Sequence, residues 1–198
     1  YYTKALAIKP LYPEALNNMG NVFLKMKMIN EAVDVFIKAL KIKPDYFEAH
    51  NNLGNALKEQ NLAEKAIASY RQAISINPNF SEAHFNLGNV QKDQGNFEDA
   101  IFCFKNAIAS NSNYPKAYYN LGLIFDSCDK YEDAISAYGK AIALKPDYAE
   151  AYNNMGVALM GQARFEDAIK AYSKAIAMIP DYAEAHYNIG KALKHCLL

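Results

Sequence analysis

Histidines are the first residues in this sequence to consider for metal binding or acid–base catalysis. Three of the four, His50, His84 and His186, occupy the same position in different copies of a repeated unit. Ligands of one metal ion must converge to within about 2.0–2.3 Å of it. We therefore expect these histidines to serve in packing or at the surface, and we predict neither a metal site nor a cofactor.

The carboxylates do not form a catalytic pattern either. Acidic pairs such as Glu98-Asp99 and Glu132-Asp133 stand where the second helix of a unit is predicted to begin, and carboxylates there interact favourably with the positive end of the helix dipole. The sequence contains no phosphate-binding glycine loop and no nucleophile–base signature. We predict that this chain is not an enzyme.

The cysteines bear on the cellular compartment. Cys103, Cys128 and Cys196 are odd in number and include no Cys-x-x-Cys pair, which is typical of free thiols in a reducing compartment. We expect them to be reduced and buried. The predicted location is the cytoplasm, with the nucleus as an alternative, and no targeting signal is visible in this sequence.

Charge and hydrophobicity exclude two classes of partner. Lys and Arg together number 21, as do Asp and Glu, so the formal net charge is zero, whereas a nucleic-acid binder needs a basic face to neutralise phosphates. No apolar stretch approaches the ~20 residues that cross a bilayer. We predict no nucleic-acid binding and no insertion into a membrane.

A fixed period runs through the whole sequence. Glycines recur at positions 20, 54, 88, 122, 156 and 190, and a constant interval in the range of about 20–50 residues is typical of a stacked repeat array. Each unit shows two helical patterns, separated by a polar break such as DQGN at 93–96 and closed by a turn such as KPDY at 145–148. The sequence therefore predicts an all-α fold of helical hairpins.

The spacing within a unit carries a family resemblance. The positions in one unit are Leu53-Gly54, Leu57, Ala66, Tyr70, Ala73 and Pro78, and this pattern resembles the tetratricopeptide repeat. The resemblance implies a right-handed superhelical solenoid of antiparallel helix pairs, with five full units at 13–46, 47–80, 81–114, 115–148 and 149–182. Residues 1–12 match the end of a preceding repeat, and residues 183–198 match the first helix of a further repeat or a capping helix, all within one continuous domain.

By the same resemblance, the first helices line a concave groove. One asparagine per unit forms what we call the ladder: Asn18, Asn52, Asn86, Asn120, Asn154 and Asn188. A second rail follows at Asn21, Asn55 and Asn89. Helical steps of three and four from Glu48 place Asn51 on the same polar face as Asn52 and Asn55. The later units add an apolar stretch of Phe85, Tyr119, Leu123, Val157 and Met160.

Asparagine in mid-helix needs a reason, because it costs roughly 0.6 kcal/mol of helix propensity against alanine. A side-chain amide carries both a donor and an acceptor, so the ladder could hold the backbone of an extended peptide while the apolar stretch selects its side chains. Alternatively, the asparagines brace neighbouring helices through hydrogen bonds of about 1 kcal/mol each. Energy alone does not separate the two interpretations.

The family resemblance suggests different parents and partners. The lysine–arginine clamp that some members use for acidic chaperone tails is absent, since Asn17, Asn51 and Asn153 stand at its lysine positions. The repeats look more like those of the O-linked N-acetylglucosamine transferases, whose asparagine ladder holds peptides. We predict a peptide-binding interaction module. A structural scaffold, or the substrate-recognition arm of such a transferase, is the alternative.

Both ends of the sequence carry apolar residues, including Tyr2, Leu6, Ile189 and Leu193. Natural repeat arrays usually end in a polar cap. Head-to-tail self-association through these ends is therefore a further expectation.

Overall fold

The structure, a computed structural model, describes residues 1–196 and the side chains of all of these except residues 3, 5 and 6. Residues 1–196 contain helices and no strand. In chain order the helices are α1 (Tyr2–Ile8), α2 (Pro13–Lys25), α3 (Ile29–Ile42), α4 (Phe47–Glu59), α5 (Ala63–Ile76), α6 (Ser81–Asp93), α7 (Phe97–Ser110), α8 (Pro115–Ser127), α9 (Tyr131–Leu144), α10 (Ala149–Gly161), α11 (Phe165–Met178) and α12 (Ala183–Cys196). The predicted all-α fold is confirmed.

The helices alternate between two kinds. The first helices, α2, α4, α6, α8, α10 and α12, begin at a constant interval along the chain, and so do the second helices, α3, α5, α7, α9 and α11. Leu16 near the start of α2 shares a core cluster with Ala39 near the end of α3, whereas Leu24 near the end of α2 packs beside Ile29 at the start of α3. Each first helix and its second helix are therefore antiparallel, as the sequence predicts.

A three-residue loop reverses the chain between the two helices of a pair. In the loop after α4, Asn61 has a φ of +59°, its N–H donates to the Lys58 carbonyl, and the N–H of Leu62 donates to the Leu57 carbonyl, both at 2.9 Å. These two bonds satisfy carbonyl groups that the helix end leaves free, as in a Schellman motif. The equivalent residues with positive φ are Lys27, Gly95, Asp129 and Ala163.

The close approach within a pair depends on a glycine. A Cβ atom at Gly54 would lie 2.5 Å from Cε1 of Tyr70, and Tyr70 is fully buried. The ring occupies the space above the glycine of its own pair and also belongs to a core cluster with Leu87 and Val90 of the next first helix. The same glycine–aromatic contact recurs at Gly20–Phe36, Gly88–Phe104, Gly122–Tyr138 and Gly156–Tyr172.

The described residues divide into two compact units, the first ending at Ser110 and the second beginning at Asn111. In the first unit, α2 contacts α4 and α4 contacts α6; in the second, α8 contacts α10 and α10 contacts α12. Within each unit, the described second helices make no comparable contacts with one another. The first helices therefore lie closer together, and the surface that they form is the inner face of each unit.

Candidate functional site

The three asparagines at the lysine positions of the clamp are buried. Asn17, Asn51 and Asn153 are exposed by only 5%, 1% and 0%, and we call them the brace asparagines. Each accepts a hydrogen bond from the ladder asparagine of the next first helix, at 2.9, 3.0 and 3.2 Å from Asn52, Asn86 and Asn188 respectively. The expected place of Asn51 on the polar face beside Asn52 was wrong, because its side chain turns toward the neighbouring helix α6.

The amide nitrogen of a brace asparagine also has a partner. Nδ2 of Asn51 donates to Oε1 of Glu82 at 3.4 Å, and Nδ2 of Asn153 donates to Oε1 of Glu184 at 3.2 Å. A bond to a charged acceptor is stronger than a neutral one. Together these bonds offset the helix propensity that asparagine costs, and they account for the first asparagine of each pair.

The ladder asparagines keep hydrogen-bonding capacity. Asn52, Asn86 and Asn188 are half-buried, and each uses one N–H in its bond to a brace. A side-chain amide has two N–H donors and an oxygen with two acceptor sites. Within the described part of the chain, the second N–H and the oxygen of these three amides have no partner.

Two ladder residues differ from this arrangement. Asn120 is buried and donates to the carbonyl of Lys116 at 3.1 Å, so the expected open position does not hold there. Asn154 donates to the hydroxyl oxygen of Tyr119 at 2.9 Å and accepts from Asn153 at 3.2 Å. Asn120 and Asn154 in the second unit therefore use more of their hydrogen-bonding capacity within the protein than the ladder asparagines of the first unit do.

The remaining asparagines of the first unit are the most available. Asn18 is exposed, Asn21 and Asn89 are half-buried, and none of the three bonds to a residue that the structure describes. Asn55 accepts a hydrogen bond from the hydroxyl of Tyr70 at 2.8 Å. We call the surface that carries the ladder and the second rail the ladder face.

A shallow cavity of about 250 Å³ opens on the ladder face of the first unit. Its lining includes Leu24, Asn55, Tyr70 and Asn86, together with charged residues at the rim. Lys27 pairs with Glu59 at 3.2 Å, and Lys58 pairs with Asp93 at 3.3 Å. Exposed ion pairs of this kind contribute little to stability. Because the four side chains are exposed, their charges are accessible to a ligand.

The apolar stretch is only partly accessible. Leu123 and Tyr119 pack beside the buried ring of Tyr138, and Val157 and Met160 pack beside Leu159 and Tyr172. In the first unit, Phe85 packs against Phe104 with ring centroids 5.7 Å apart. All five members of the stretch are half-buried, so a ligand would touch their edges rather than enter deep pockets.

Two buried polar atoms in the second unit lack hydrogen-bond partners among the described residues, namely the hydroxyl of Tyr138 and Oδ1 of Asp126. The equivalent hydroxyl of Tyr70 bonds to Asn55, but the residue equivalent to Asn55 is Leu123 in this pair. Burial, and then the charge of Asp129, raises the pKa of Asp126. Burial is also the main cause of the raised pKa of Tyr138, followed by the charge of Asp126.

The histidines have a structural role. Nε2 of His50, His84 and His186 donates to the carbonyl oxygen of the proline six residues earlier, at 2.8–2.9 Å. Each ring thus fastens the turn before its first helix. Among residues 1–196, no group of three or more histidine, cysteine, aspartate or glutamate side chains could hold a metal ion, and no helix is long and apolar enough to cross a membrane.

The cysteines match the expectation only in part. All three are free, and Cys103 is buried, with burial as the main cause that raises the pKa of its thiol to about 11. Cys128 and Cys196 are exposed. The expected burial of these two was wrong, because Cys128 is the first residue of the loop after α8 and Cys196 is the last residue of α12.

The fold and its regular glycine–aromatic contacts define a helical-repeat solenoid. Profiles described as TPR repeat match residues 28–61, 54–95, 127–163 and 162–195, and profiles described as tetratricopeptide repeat match residues 81–114 and 103–136. The chain belongs to the tetratricopeptide repeat family. No curated protein matches the chain.

Several solved structures are similar over most of their length. MamA is 30% identical over 83% of this chain and 96% of its own, with a TM-score of 0.76. YrrB, described as a TPR protein with an unusual peptide-binding site, is 21% identical over 94% of this chain and 96% of its own, with a TM-score of 0.75. PilF of Pseudomonas aeruginosa is 20% identical over 92% of this chain and 85% of its own, with a TM-score of 0.82. YrrB and PilF show a shared fold alone.

Proposed function

We propose that this chain, a protein–protein interaction module of the tetratricopeptide repeat family, binds an extended peptide segment along the ladder face. Solenoids of this kind present extended concave surfaces to their ligands. YrrB, which shares the fold, is described as having a peptide-binding site. The proposal for this chain rests on its own asparagines.

The observation that carries the proposal is the unused hydrogen-bonding capacity of the ladder face. Asn52 and Asn86 are held in place by their bonds to the braces and still have an N–H and an oxygen to offer. A peptide unit presents the complementary oxygen and N–H. Because the braces fix the amides before a ligand arrives, less side-chain freedom is lost on binding.

Helix spacing matches the repeat of an extended chain. Packed helices lie about 8–10 Å apart, and an extended peptide rises about 3.3 Å per residue. Successive ladder amides would therefore meet the peptide about every third residue. Backbone bonds carry little sequence information, so in this proposal the edges of Leu123, Val157 and Met160 select the side chains of a segment bound to the second unit.

A double substitution of Asn18→Ala and Asn89→Ala tests the proposal. Twelve-residue peptides selected from a phage-displayed random library serve as probes, and isothermal titration gives their Kd values. Each lost bond is worth about 1 kcal/mol, or about fivefold in Kd. We expect the double variant to weaken every peptide that binds the first unit by a similar factor, whereas Met160→Ala should change the order of preference among peptides that bind the second unit.

The matched control is Asn51→Ala, which removes a brace. Because Asn51 is buried and bonded on both sides, this variant should melt at a lower temperature, whereas the double variant should not. Unchanged Kd values in the double variant would contradict the proposal. A scaffold function would then be favoured, since the brace bonds support stacking without any ligand.

Head-to-tail self-association and the likeness to transferase repeats stay predictions. Tyr2 and Leu193 are 40% and 47% exposed, and no described atom lies within 4 Å of a Cβ built at Gly190. The side chain of Leu6 and residues 197–198 lie outside the described residues. Light scattering that finds only a monomer at every accessible concentration would contradict self-association.

A further inference from the structure

A polar residue occupies a core position in the third helix pair. Gln91 on α6 is only 4% exposed, whereas the equivalent residues in the other pairs are Phe23, Leu57, Phe125 and Leu159. Burying an amide costs free energy unless its atoms are hydrogen-bonded. Each polar atom of this amide is therefore expected to meet a hydrogen-bonding partner or solvent.

Only one side of this amide has a partner among the described residues. Oε1 of Gln91 accepts a hydrogen bond from Nδ2 of Asn96 at 2.9 Å, which ties the loop before α7 to α6. Nε2 of Gln91 donates to no residue that the structure describes. The bond to Asn96 thus uses the oxygen of Gln91. Its nitrogen is not among the fully buried atoms that lack a partner, so it remains available to a ligand.

Gln91 lines a cavity of about 270 Å³ between α5, α6 and α7. Ile74, Leu87, Phe102 and Cys103 form apolar walls, and the described lining includes no residue of the ladder or the second rail. Phe102 is 67% exposed. The equivalent positions in the other pairs hold Asp34, Ala68, Ser136 and Lys170, so a large apolar residue at this rim is peculiar to the third pair.

The other groups in the cavity are accounted for. Nε2 of His84 donates to the carbonyl of Pro78 at 2.9 Å, and the thiol of Cys103, whose pKa is raised to about 11 chiefly by burial, stays neutral. Arg71 and Asp99 add one charge of each sign to the lining. The cavity therefore offers apolar walls, one unused amide donor and a pair of opposite charges.

We propose that this cavity binds a tyrosine side chain of a partner protein, on a surface separate from the ladder face. Its volume suits a single aromatic ring, and Nε2 of Gln91 is available to donate a hydrogen bond. A tyrosine hydroxyl supplies one, whereas a tryptophan N–H is only a donor and phenylalanine has neither. Arg71 and Asp99 favour a ligand with an acidic residue on one side of the tyrosine and a basic residue on the other.

The second unit contains a natural comparison. A cavity of about 370 Å³ is lined there by Tyr152, Met155, Leu159 and Lys170, which are equivalent to His84, Leu87, Gln91 and Phe102. Leu159 offers no donor. A tyrosine ring should therefore bind the cavity of the first unit in preference to that of the second, whereas a phenylalanine ring should not show this preference.

N-acetyl-tyrosinamide and N-acetyl-phenylalaninamide are suitable probes, with binding followed by ¹H–¹⁵N NMR. We expect the tyrosine probe to shift the side-chain amide signals of Gln91 and to bind about fivefold more tightly than the phenylalanine probe, as one added hydrogen bond implies. Equal affinities, or an unshifted Gln91 amide, would overturn the proposal.

Two variants keep the test independent of folding. Gln91→Leu installs the residue of the second and fifth pairs and should remove the preference for tyrosine. Phe102→Ser installs the residue of the fourth pair at an exposed position and should weaken both probes by a similar factor. Unchanged NMR signals from α2 and α3, which belong to the same unit but do not line the cavity, control for folding. A tyrosine preference that survives in Gln91→Leu would also overturn the proposal.

Discussion

Gly54→Ala is expected to lower the free energy of unfolding by about 1–3 kcal/mol, which is typical of an overpacked core. The added methyl group would lie 2.5 Å from the Tyr70 ring. That ring cannot move away easily, because it is fully buried and its hydroxyl is bonded to Asn55. The gain of about 1 kcal/mol in helix propensity offsets only part of this cost.

Gly139→Ala is the matched control. Gly139 lies inside helix α9, and a Cβ atom built there meets no described atom within 4 Å. We expect this variant to raise the free energy of unfolding by up to about 1 kcal/mol. Urea unfolding of both variants measures the difference. Equal stabilisation by the two substitutions would show that the pair tolerates a methyl group under the ring.

Tyr138→Phe is expected to stabilise the protein, whereas Tyr70→Phe is expected to destabilise it. The buried hydroxyl of Tyr138 has no partner in the described part of the chain, and an unsatisfied buried polar group costs about 1–3 kcal/mol. The hydroxyl of Tyr70 donates to Asn55 at 2.8 Å, and its loss should cost about 1 kcal/mol. Phenylalanine fits either place, since Phe36 and Phe104 hold the equivalent positions.

Thermal unfolding of the two tyrosine variants gives the comparison. Removing a hydroxyl from a buried ring leaves its apolar packing nearly unchanged. Stability changes of opposite sign in the two variants would therefore report the contribution of the hydrogen bond. A loss of stability in both variants would mean that the Tyr138 hydroxyl has a partner in solution, such as a bound water.

The sequence predicts the regular features of this fold well. The fixed interval between repeats and the positions of glycine and aromatic residues follow from packing that every pair must repeat. The loops are harder to predict, because Gly95, Asn61 and Asp129 are of types that adopt a positive φ readily, whereas Lys27 and Ala163 are not. Lys27 and Ala163 adopt it with φ near +59° and +56°, since their helices need the same reversal.

The two adjacent asparagines show why the site could be predicted only in part. Asn51 and Asn52 are chemically identical in sequence, yet their side chains point about 100° apart around the helix. A face drawn by steps of three and four residues includes both. The direction in which α6 packs on α4 makes Asn51 a brace and leaves Asn52 half-buried on the ladder face.

The pattern of helix contacts also has a mechanical consequence. Within each unit, the described helices contact only the next helix and the next but one along the chain, so no contact between distant described helices holds an end in place. When the protein is pulled at one end, it should therefore unfold one helix pair at a time. Each released pair would add about 120 Å of length, at roughly 3.5 Å for each of about 34 residues. Such a module lengthens in steps under load while the pairs further from the pulled end keep their fold.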